Sequence, residues 1–340
     1  MERWEGQNLP EEPAIALIAN DALGNFAIAN LVAQALKSRY PDCGLDYYGG
    51  SRTLELEESC DLFTWRFSAY GAPFSETLAA ASERPKYVLV VNIESGYPSK
   101  ALASALAADY VCGPCLAPNA RGDWDFPADE RGDLWRDRAW IARGIENRYS
   151  FLETPFIGEM FVKLCYLGGE RGAPWPGGIP RYKFPQRPVS GLPDVLISTG
   201  GSLPEKLWPV QKWRELLESL NARVGLLGAA PKRQQQFYHS DSDETALVDA
   251  GLAEDWRGNL SLPEVVGALE KAKLVITIDN GILHFAAANE VPTVGLYRRD
   301  FDRLWAPPNP NLARLTPLQG DVDMIQVDAV FGAVKRLASV

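Results

Sequence analysis

Residues 274–297 read LVITIDNGILHFAAANEVPTVGLY. The first five residues, Leu274–Ile278, are apolar without interruption, which is typical of a strand buried on both faces of a parallel sheet. A small polar turn, DNG, follows, and a helix is expected to begin there and to end near Asn289. A second apolar run, Thr293–Tyr297, is the next expected strand. The stretch therefore predicts a strand–helix–strand unit of an α/β fold.

The same alternation of elements continues along the rest of the chain. In the second half we expect strands at 195–199 and 224–228, and helices at 208–220 and 261–272. The last of these helices begins with Ser261 and carries Glu264 three residues later, which is the pattern of a capping box. In the first half we expect strands at 14–19, 45–48 and 87–93, and helices at 26–39 and 99–107. Apolar strands that alternate with helices predict parallel sheets covered on both faces.

A stretch rich in glycine and proline divides the chain at residues 168–193, GGERGAPWPGGIPRYKFPQRPVSGLP. Such a stretch cannot hold a long helix or a central strand. We interpret it as a linker between an N-terminal domain, 1–167, and a C-terminal domain, 194–340, and the length of 340 residues agrees with two domains. The alternative is a long surface loop inside one large domain. The segment after Asp321 is expected to be helical and is a candidate to pack back on the N-terminal domain.

Charge and composition exclude several classes of protein. The chain has 34 Lys and Arg against 44 Asp and Glu, a net charge of −10, which argues against broad binding of nucleic acid. The first residues, MERWEG, lack the basic and apolar regions of a secretory signal, and no apolar run reaches the roughly 20 residues that span a bilayer. The five cysteines are an odd number, which fits a reducing compartment. We therefore expect a cytoplasmic protein without a transmembrane segment.

The turn that follows Leu274–Ile278 is a candidate anion site. Backbone N–H groups at the start of a helix attract phosphate, with help from the helix dipole. Asp279 is placed to cap the helix or to accept from sugar hydroxyls, and His284 to donate to a phosphate or sugar oxygen. The alternative is that Asp279 only caps the helix and that His284 is a buried histidine with its hydrogen bonds satisfied.

Three stretches of the sequence resemble glycosyltransferase family 9, the ADP-heptose:lipopolysaccharide heptosyltransferase family. The first is D-x-G-x-x-H-x-x-A-A from Asp279, followed by V-P-T-V-x-L-Y. The second is STGGSLPEKLWP at 198–209. The third is Leu23-Gly24-Asn25, where the family usually has Gly-Asp. The resemblance implies the GT-B fold, in which two Rossmann-like domains face each other across a cleft.

The resemblance also implies a function. It indicates an inverting glycosyltransferase that moves a heptose or related sugar from a nucleotide-diphosphate sugar, ADP-heptose in the first place, to a carbohydrate or glycolipid acceptor, as in lipopolysaccharide synthesis. The N-terminal domain would bind the acceptor, no metal or other cofactor would take part, and the protein would contact the inner membrane peripherally. The implied donor-binding residues of the C-terminal domain are Ser202, Lys206, Asp279, Asn280, Gly281 and His284. Without this context, Lys206 would be interpreted as a solvated loop lysine.

One departure from the family concerns the general base. Asn25 stands where the family usually carries the aspartate assigned as the base, and an amide cannot take up a proton at a useful pKa. Asp21, in the same turn, and Glu94, after the strand at 87–93, are the candidate catalytic replacements. Equally open are a turn-stabilising Asp21 and a solvated Glu94. The alternative function is therefore a catalytically degenerate nucleotide-sugar-binding protein of the same fold.

A second departure follows Tyr297, where the family tends to show Gly-Pro-Thr. Here Arg298 and Arg299 are candidate contacts for an anionic acceptor or for the donor phosphates. The alternatives are that both are ordinary surface charges and that the donor sugar differs from heptose.

A weaker signal is the C-x-x-C motif Cys112-Gly113-Pro114-Cys115, which matches thioredoxin-like oxidoreductases. In those proteins the motif opens a helix, whereas Pro118 here is unsuited to a helix interior. Because a reactive thiol needs a helix terminus or a similar environment, we rank a redox role behind the two functions above.

Overall fold

The computed structural model of the protein describes residues 1–119, 121–137, 139–168, 182–184, 186–234 and 241–337. Within these ranges the chain forms two compact units, Met1–Lys183 and Phe184–Val340. The boundary falls inside the predicted linker at 168–193, and most of that linker lies outside the described residues.

The first unit is built on six parallel strands and seven helices among its described residues. The strands are β1 (Glu2–Arg3), β2 (Ala14–Ile18), β3 (Gly44–Gly50), β4 (Trp65–Tyr70), β5 (Leu89–Asn92) and β6 (Tyr110–Cys112). The helices are α1 (Leu23–Arg39), α2 (Leu54–Ser59), α3 (Phe74–Ser82), α4 (Tyr97–Ala105), α5 (Glu130–Arg136), α6 (Ile145–Arg148) and α7 (Ile157–Leu164).

The described residues of the second unit likewise form six parallel strands and seven helices. The strands are β7 (Val195–Ser198), β8 (Val224–Leu226), β9 (Glu254–Asp255), β10 (Leu274–Ile278), β11 (Thr293–Leu296) and β12 (Leu312–Leu315). The helices are α8 (Val210–Ser219), α9 (Pro231–Gln234), α10 (Asp241–Asp249), α11 (Leu262–Lys271), α12 (Gly281–Ala288), α13 (Phe301–Trp305) and α14 (Val327–Leu337). Short 3₁₀ helices occupy Pro204–Lys206 and Val322–Met324.

The order of the strands decides where the chemistry can lie. The second sheet runs β12-β11-β10-β7-β8-β9, which is the Rossmann order. The first sheet runs β1-β6-β5-β2-β3-β4, the same order with the N-terminal strand β1 in the sixth place. The prediction of two Rossmann-like units is confirmed. In each sheet two neighbouring strands, β2 with β5 and β7 with β10, send their connections in opposite directions, and such switch points are where open α/β sheets bind ligands.

Burial explains which strands the sequence pattern could reveal. All five residues of β10 are buried, and so are all four of β5 and of β7, because helices cover both faces of these central strands. Strand β4 was not predicted: it lies at the edge of the first sheet, each of its residues is only partly buried, and its mixed sequence WRFSAY lacks an apolar run. The two-residue strand β1 is too short to leave a pattern.

Helix α14 packs within the second unit. It contacts α8, β11 and β12, and Val330, Ala333 and Val334 join the core that β7, β10 and β11 form. Among the helices that the structure describes, none is long and apolar enough to cross a membrane.

Candidate functional site

The first candidate site lies at the switch point of the second sheet, where Asn280 ties two segments together. Its side-chain oxygen accepts from the backbone N–H of Ile282, at 3.0 Å, and of Leu283, at 3.4 Å. Its amide nitrogen donates to the Ser198 hydroxyl at 3.1 Å and to the Gly200 carbonyl at 3.0 Å. One side chain thus caps α12 and fastens the loop after β7.

The prediction that Asp279 caps this helix was therefore wrong, since the cap is Asn280. An amide can accept from the helix and also donate to the neighbouring loop, whereas a carboxylate can only accept. Gly281 is the first residue of α12, as predicted.

The Asp279 carboxylate instead holds the predicted donor-site lysine. The Lys206 ammonium donates to Asp279 Oδ2 at 2.8 Å and to the Asp279 backbone carbonyl at 3.2 Å. The Lys206 side chain is 20 % exposed and that of Asp279 is 5 % exposed, so the pair is largely withdrawn from water. Ser202 is exposed in the same loop, four residues before Lys206. The structure thereby brings the predicted lysine to the start of α12.

His284 is buried one turn into α12, with 2 % of its surface exposed. Burial lowers the pKa of His284 to about 4; the Asp279 carboxylate raises it and the Lys206 ammonium lowers it further. The imidazole is therefore neutral near pH 7 and can donate one N–H. Its Nδ1 atom is buried and has no hydrogen-bond partner among the described residues. His284 is therefore not a buried histidine with all its hydrogen bonds satisfied, and its functional role stays a prediction.

Arg298 and Arg299 follow β11, the strand beside β10, and differ in their surroundings. The Arg299 side chain is exposed, and its Nε lies 3.5 Å from Asp300 Oδ2. The Arg298 guanidinium stacks on Phe301 at 3.7 Å from the ring centre.

The second candidate site lies at the switch point of the first sheet, around Glu94. One carboxylate oxygen, Oε1, accepts from the Asn20 amide at 2.9 Å, from the Asn25 amide at 3.2 Å and from the Asn20 backbone N–H at 3.3 Å. Burial raises the pKa of Glu94, and these hydrogen bonds lower it in part. Among the described residues, none donates to Oε2, which leaves this oxygen available for a proton.

The structure also corrects the start of α1, which begins at Leu23 rather than at Phe26. The Asn20 side-chain oxygen accepts from the backbone N–H of Ala22 at 2.8 Å and turns the chain directly into the helix. Gly24 and Asn25 consequently lie in the first helical turn, and Asn25 reaches Glu94 from there.

Asp21 lies beside the same site. Its carboxylate is 4.0 Å from the Arg52 guanidinium, and both side chains are about a quarter exposed, at 26 % and 27 %. Burial raises the pKa of Tyr70 to about 12, and the charges of both candidate carboxylates, Glu94 and Asp21, add to that rise. Both predicted catalytic residues are therefore brought to one edge of the first sheet.

Sequence reasoning missed Glu57, a buried carboxyl group on α2. Burial raises its pKa to about 6, and it accepts from Thr53 and from the Gly50 backbone. Nothing in the helical segment LELEES distinguishes this acid from its exposed neighbours. Glu57 holds the turn that carries Arg52.

Also missed were two exposed aromatic side chains, Tyr97 at 70 % and Phe74 at 42 % exposure. Each is the first residue of a helix, α4 and α3, that leaves the carboxyl edge of the first sheet. Tyr97 follows Glu94 by three residues. Exposed aromatic rings next to a polar site are typical of surfaces that bind another molecule.

The C-x-x-C motif lies in the interior of the first unit. Cys112 and Cys115 are free and buried, and burial raises the pKa of Cys115 to about 11. A thiol with a raised pKa is a poor nucleophile near pH 7.

Comparison with known proteins adds independent evidence. Residues 181–319 match the family model of glycosyltransferase family 9 (heptosyltransferase). The matched range, 139 of the 340 residues, is similar to glycosyltransferase family 9. Lipopolysaccharide heptosyltransferase 1 of Salmonella typhimurium is 32 % identical over 93 residues, and the same enzyme of Escherichia coli K12 is 29 % identical over 96 residues. Each match covers 27 % of this chain and 28 % of the relative, so the similarity in sequence spans little more than a quarter of either relative.

Solved structures extend the likeness to the whole fold. The E. coli ADP-heptose lipopolysaccharide heptosyltransferase II has a TM-score of 0.69 at 18 % identity, covering 95 % of this chain and 98 % of that one. The E. coli heptosyltransferase WaaC with ADP has a TM-score of 0.62 at 17 % identity, covering 95 % of this chain and 97 % of that one. The chain therefore has the GT-B fold, and the predicted resemblance to glycosyltransferase family 9 is confirmed.

Proposed function

We propose that this protein is an inverting glycosyltransferase that transfers a heptose or a related sugar from a nucleotide-diphosphate sugar, ADP-heptose in the first place, to a carbohydrate or glycolipid acceptor. The observation that carries the proposal is the lysine held at the start of α12, the Lys206–Asp279 pair at 2.8 Å at the switch point of a Rossmann-ordered sheet. The relatives include a heptosyltransferase whose solved structure holds ADP.

The second unit supplies the donor site in this proposal. Lys206 meets the diphosphate as a point charge, and Asp279 is a positioning residue that fixes the ammonium. The exposed Ser202 hydroxyl and the backbone N–H of Gly281 donate to the same oxygens, since helix α12 presents its positive end there while Asn280 caps the N–H groups of Ile282 and Leu283. Asn280 holds the loop after β7 against the start of α12 by its hydrogen bonds to both segments. His284 donates one N–H from its neutral ring.

The first unit supplies the base. Glu94 takes the proton from the acceptor hydroxyl, and the oxygen attacks the anomeric carbon of the donor sugar. The bond from that carbon to the diphosphate oxygen breaks, the diphosphate leaves with the electron pair, and the configuration inverts. Burial places the pKa of Glu94 above that of an exposed glutamate, which suits a base working near neutral pH. Asp21 is the second candidate for this role, although the Arg52 guanidinium faces its carboxylate.

Asn25 and Asn20 are positioning residues in this proposal. Both hold Oε1 of Glu94, which turns Oε2 toward a substrate. In this proposal the base lies at the end of β5, and the Asn25 amide stands where glycosyltransferase family 9 usually carries the aspartate of its first β/α turn. Tyr97 and Phe74 offer ring faces to an acceptor sugar next to this carboxylate.

In this proposal Lys206, the Gly281 backbone N–H and the dipole of α12 stabilise the leaving diphosphate, and the reaction uses no metal ion. A glycolipid acceptor places the protein in the cytoplasm, in peripheral contact with the inner membrane.

The test is binding and turnover with ADP-heptose. Purified protein should release ADP when a heptose-free glycolipid acceptor is present, and mass spectrometry should detect the acceptor with one added heptose. Lys206→Gln should weaken ADP binding by about 10- to 100-fold, because it removes a charged hydrogen-bond donor to phosphate. Lys273→Gln is the matched control: Lys273 also pairs with an aspartate, Asp194 at 2.8 Å, but at the opposite end of β10, and it is 70 % exposed.

The alternative is a nucleotide-sugar-binding protein that has lost catalysis, and Asn25 is the observation that favours it. ADP binding that depends on Lys206 without any sugar transfer would decide for that alternative. Absence of ADP binding by the wild-type protein would refute both functions.

A further inference from the structure

Arg298 differs from the other cations at the carboxyl edge of the second sheet, where the proposed site for the donor sugar lies. It follows β11, whose Leu296 pairs with Ile278 of β10 and accepts from the Asp279 backbone N–H at 3.0 Å. Asp279 follows β10 and Arg298 follows β11, so Arg298 and the Lys206–Asp279 pair lie at the same edge of the sheet.

The neighbouring charges at this edge are already compensated. The Lys206 ammonium is paired with the Asp279 carboxylate at 2.8 Å, and Arg299 lies 3.5 Å from Asp300. The buried His284 ring is neutral near pH 7.

Arg298 itself has no such compensation. None of the described carboxylates lies within ion-pair distance of it, and its Nε is buried with no hydrogen-bond partner among the described residues. A buried donor without an acceptor costs stability, and a functional role is one explanation for such a group in a native protein.

The Phe301 ring holds the guanidinium in place. The guanidinium carbon lies 3.7 Å from the ring centre, so one face of the group is stacked and its plane is fixed. Stacking leaves the N–H groups at the edge of the plane free to donate. A planar fork of donors fits two phosphate oxygens at once, which the point charge of a lysine cannot do.

We propose that Arg298 is a second donor-binding residue, which grips the diphosphate together with Lys206 and supplies the uncompensated positive charge of the site. This inference rests on the proposed function and deepens it. A diphosphate brings at least two negative charges to a place where the charge of Lys206 is offset by Asp279. The positive charge of Arg298 offsets the negative charge that the diphosphate brings, and it therefore favours a nucleoside diphosphate over a monophosphate.

The experiment measures ADP and AMP binding to the full chain by calorimetry. Arg298→Gln should weaken ADP binding by about 10- to 100-fold, the value of one charged hydrogen-bonding group, and should reduce the preference for ADP over AMP. Arg298→Lys should fall between the wild type and Arg298→Gln, because it keeps the charge and loses the fork. Arg299→Gln should bind ADP almost as the wild type does, since that charge is exposed and paired. Arg314→Gln, an exposed arginine on β12, is the matched control for a change of net charge.

Several outcomes would overturn the inference. One is wild-type ADP affinity in Arg298→Gln, and another is an equal loss in Arg299→Gln or Arg314→Gln, which would indicate a general surface potential. If Arg298→Gln does not fold, Arg298→Lys decides: wild-type affinity and an unchanged preference for ADP in that variant count against the inference. A wild-type protein that binds no ADP contradicts the proposed function itself, whereas ADP binding that needs Lys206 but not Arg298 contradicts this inference alone.

Discussion

The assignment of the general base to Glu94, with Asn25 as its positioning partner, can be tested by substitution. In Glu94→Gln the new side chain keeps an oxygen that can accept from Asn20 and Asn25, whose amides now lie at 2.9 and 3.2 Å from Glu94 Oε1. The substitution is nearly isosteric and removes only the group that takes up a proton. We therefore expect the variant to fold and to bind ADP as the wild type does.

The expected loss is in turnover. A positioned general base contributes about 10²- to 10⁴-fold, so kcat should fall by that factor, which corresponds to about 3–5 kcal/mol in the activation barrier. The acid limb of the pH profile should disappear as well. In the wild type, kcat/KM should rise with pH through the pKa of Glu94, which burial raises above the value of an exposed glutamate, because the base acts in its ionised form.

The reverse exchange provides the control. In the double variant Asn25→Asp, Glu94→Gln, the carboxylate stands on α1, where the resemblance implies the base, and the amide oxygen at position 94 can still accept from Asn20. We expect the double variant to recover about tenfold or more of the lost turnover. Asn25→Asp alone places two carboxylates in contact and should lower the free energy of unfolding, since like charges repel.

The assay follows ADP release from ADP-heptose at saturating glycolipid acceptor, with circular dichroism to check folding. Turnover of Glu94→Gln within about twofold of the wild type would refute the assignment of the base, since even a weak general base contributes more. A folded double variant with no recovery would refute the idea that a carboxylate at position 25 can act as the base in place of Glu94.

Three further predictions concern groups whose environment the structure defines. Burial holds the pKa of His284 at about 4 against 6.5 in the unfolded chain, so the unfolded state binds the proton more tightly. The free energy of unfolding in urea should therefore fall by about 2 kcal/mol between pH 7 and pH 5, and His284→Asn should lack this component. Asn280→Ala should lower the free energy of unfolding by about 1–3 kcal/mol, because it removes a helix cap and leaves two loop groups unpaired; an unchanged midpoint in urea would contradict the geometry of the cap. A thiol reagent should label Cys112 and Cys115 only after unfolding, and rapid labelling of the native protein at neutral pH would restore the redox hypothesis.

The candidate site was partly predictable because its motifs are local. The turn DNG after an apolar strand, and Lys206 in its loop, stand at recognisable places in a β/α unit, and the structure puts them together. The cap was assigned to Asp279 instead of Asn280, since the choice depends on what the loop after β7 offers. Ser198 and Gly200 are 82 and 80 residues away from Asn280, and only the pairing of β7 with β10 brings them near.

By itself, the sequence determined the alternation of strands and helices, since this follows from the period of apolar residues and from the glycines and prolines between them. It also identified Leu274–Ile278 as a strand buried on both faces, and its glycines and prolines at 168–193 predict a division between domains. Only the tertiary structure decided that Asn25 faces Glu94 and that Asn280 reaches Ser198 and Gly200. These contacts depend on the order of strands in a sheet, which joins residues far apart in the chain, and no local pattern encodes that order.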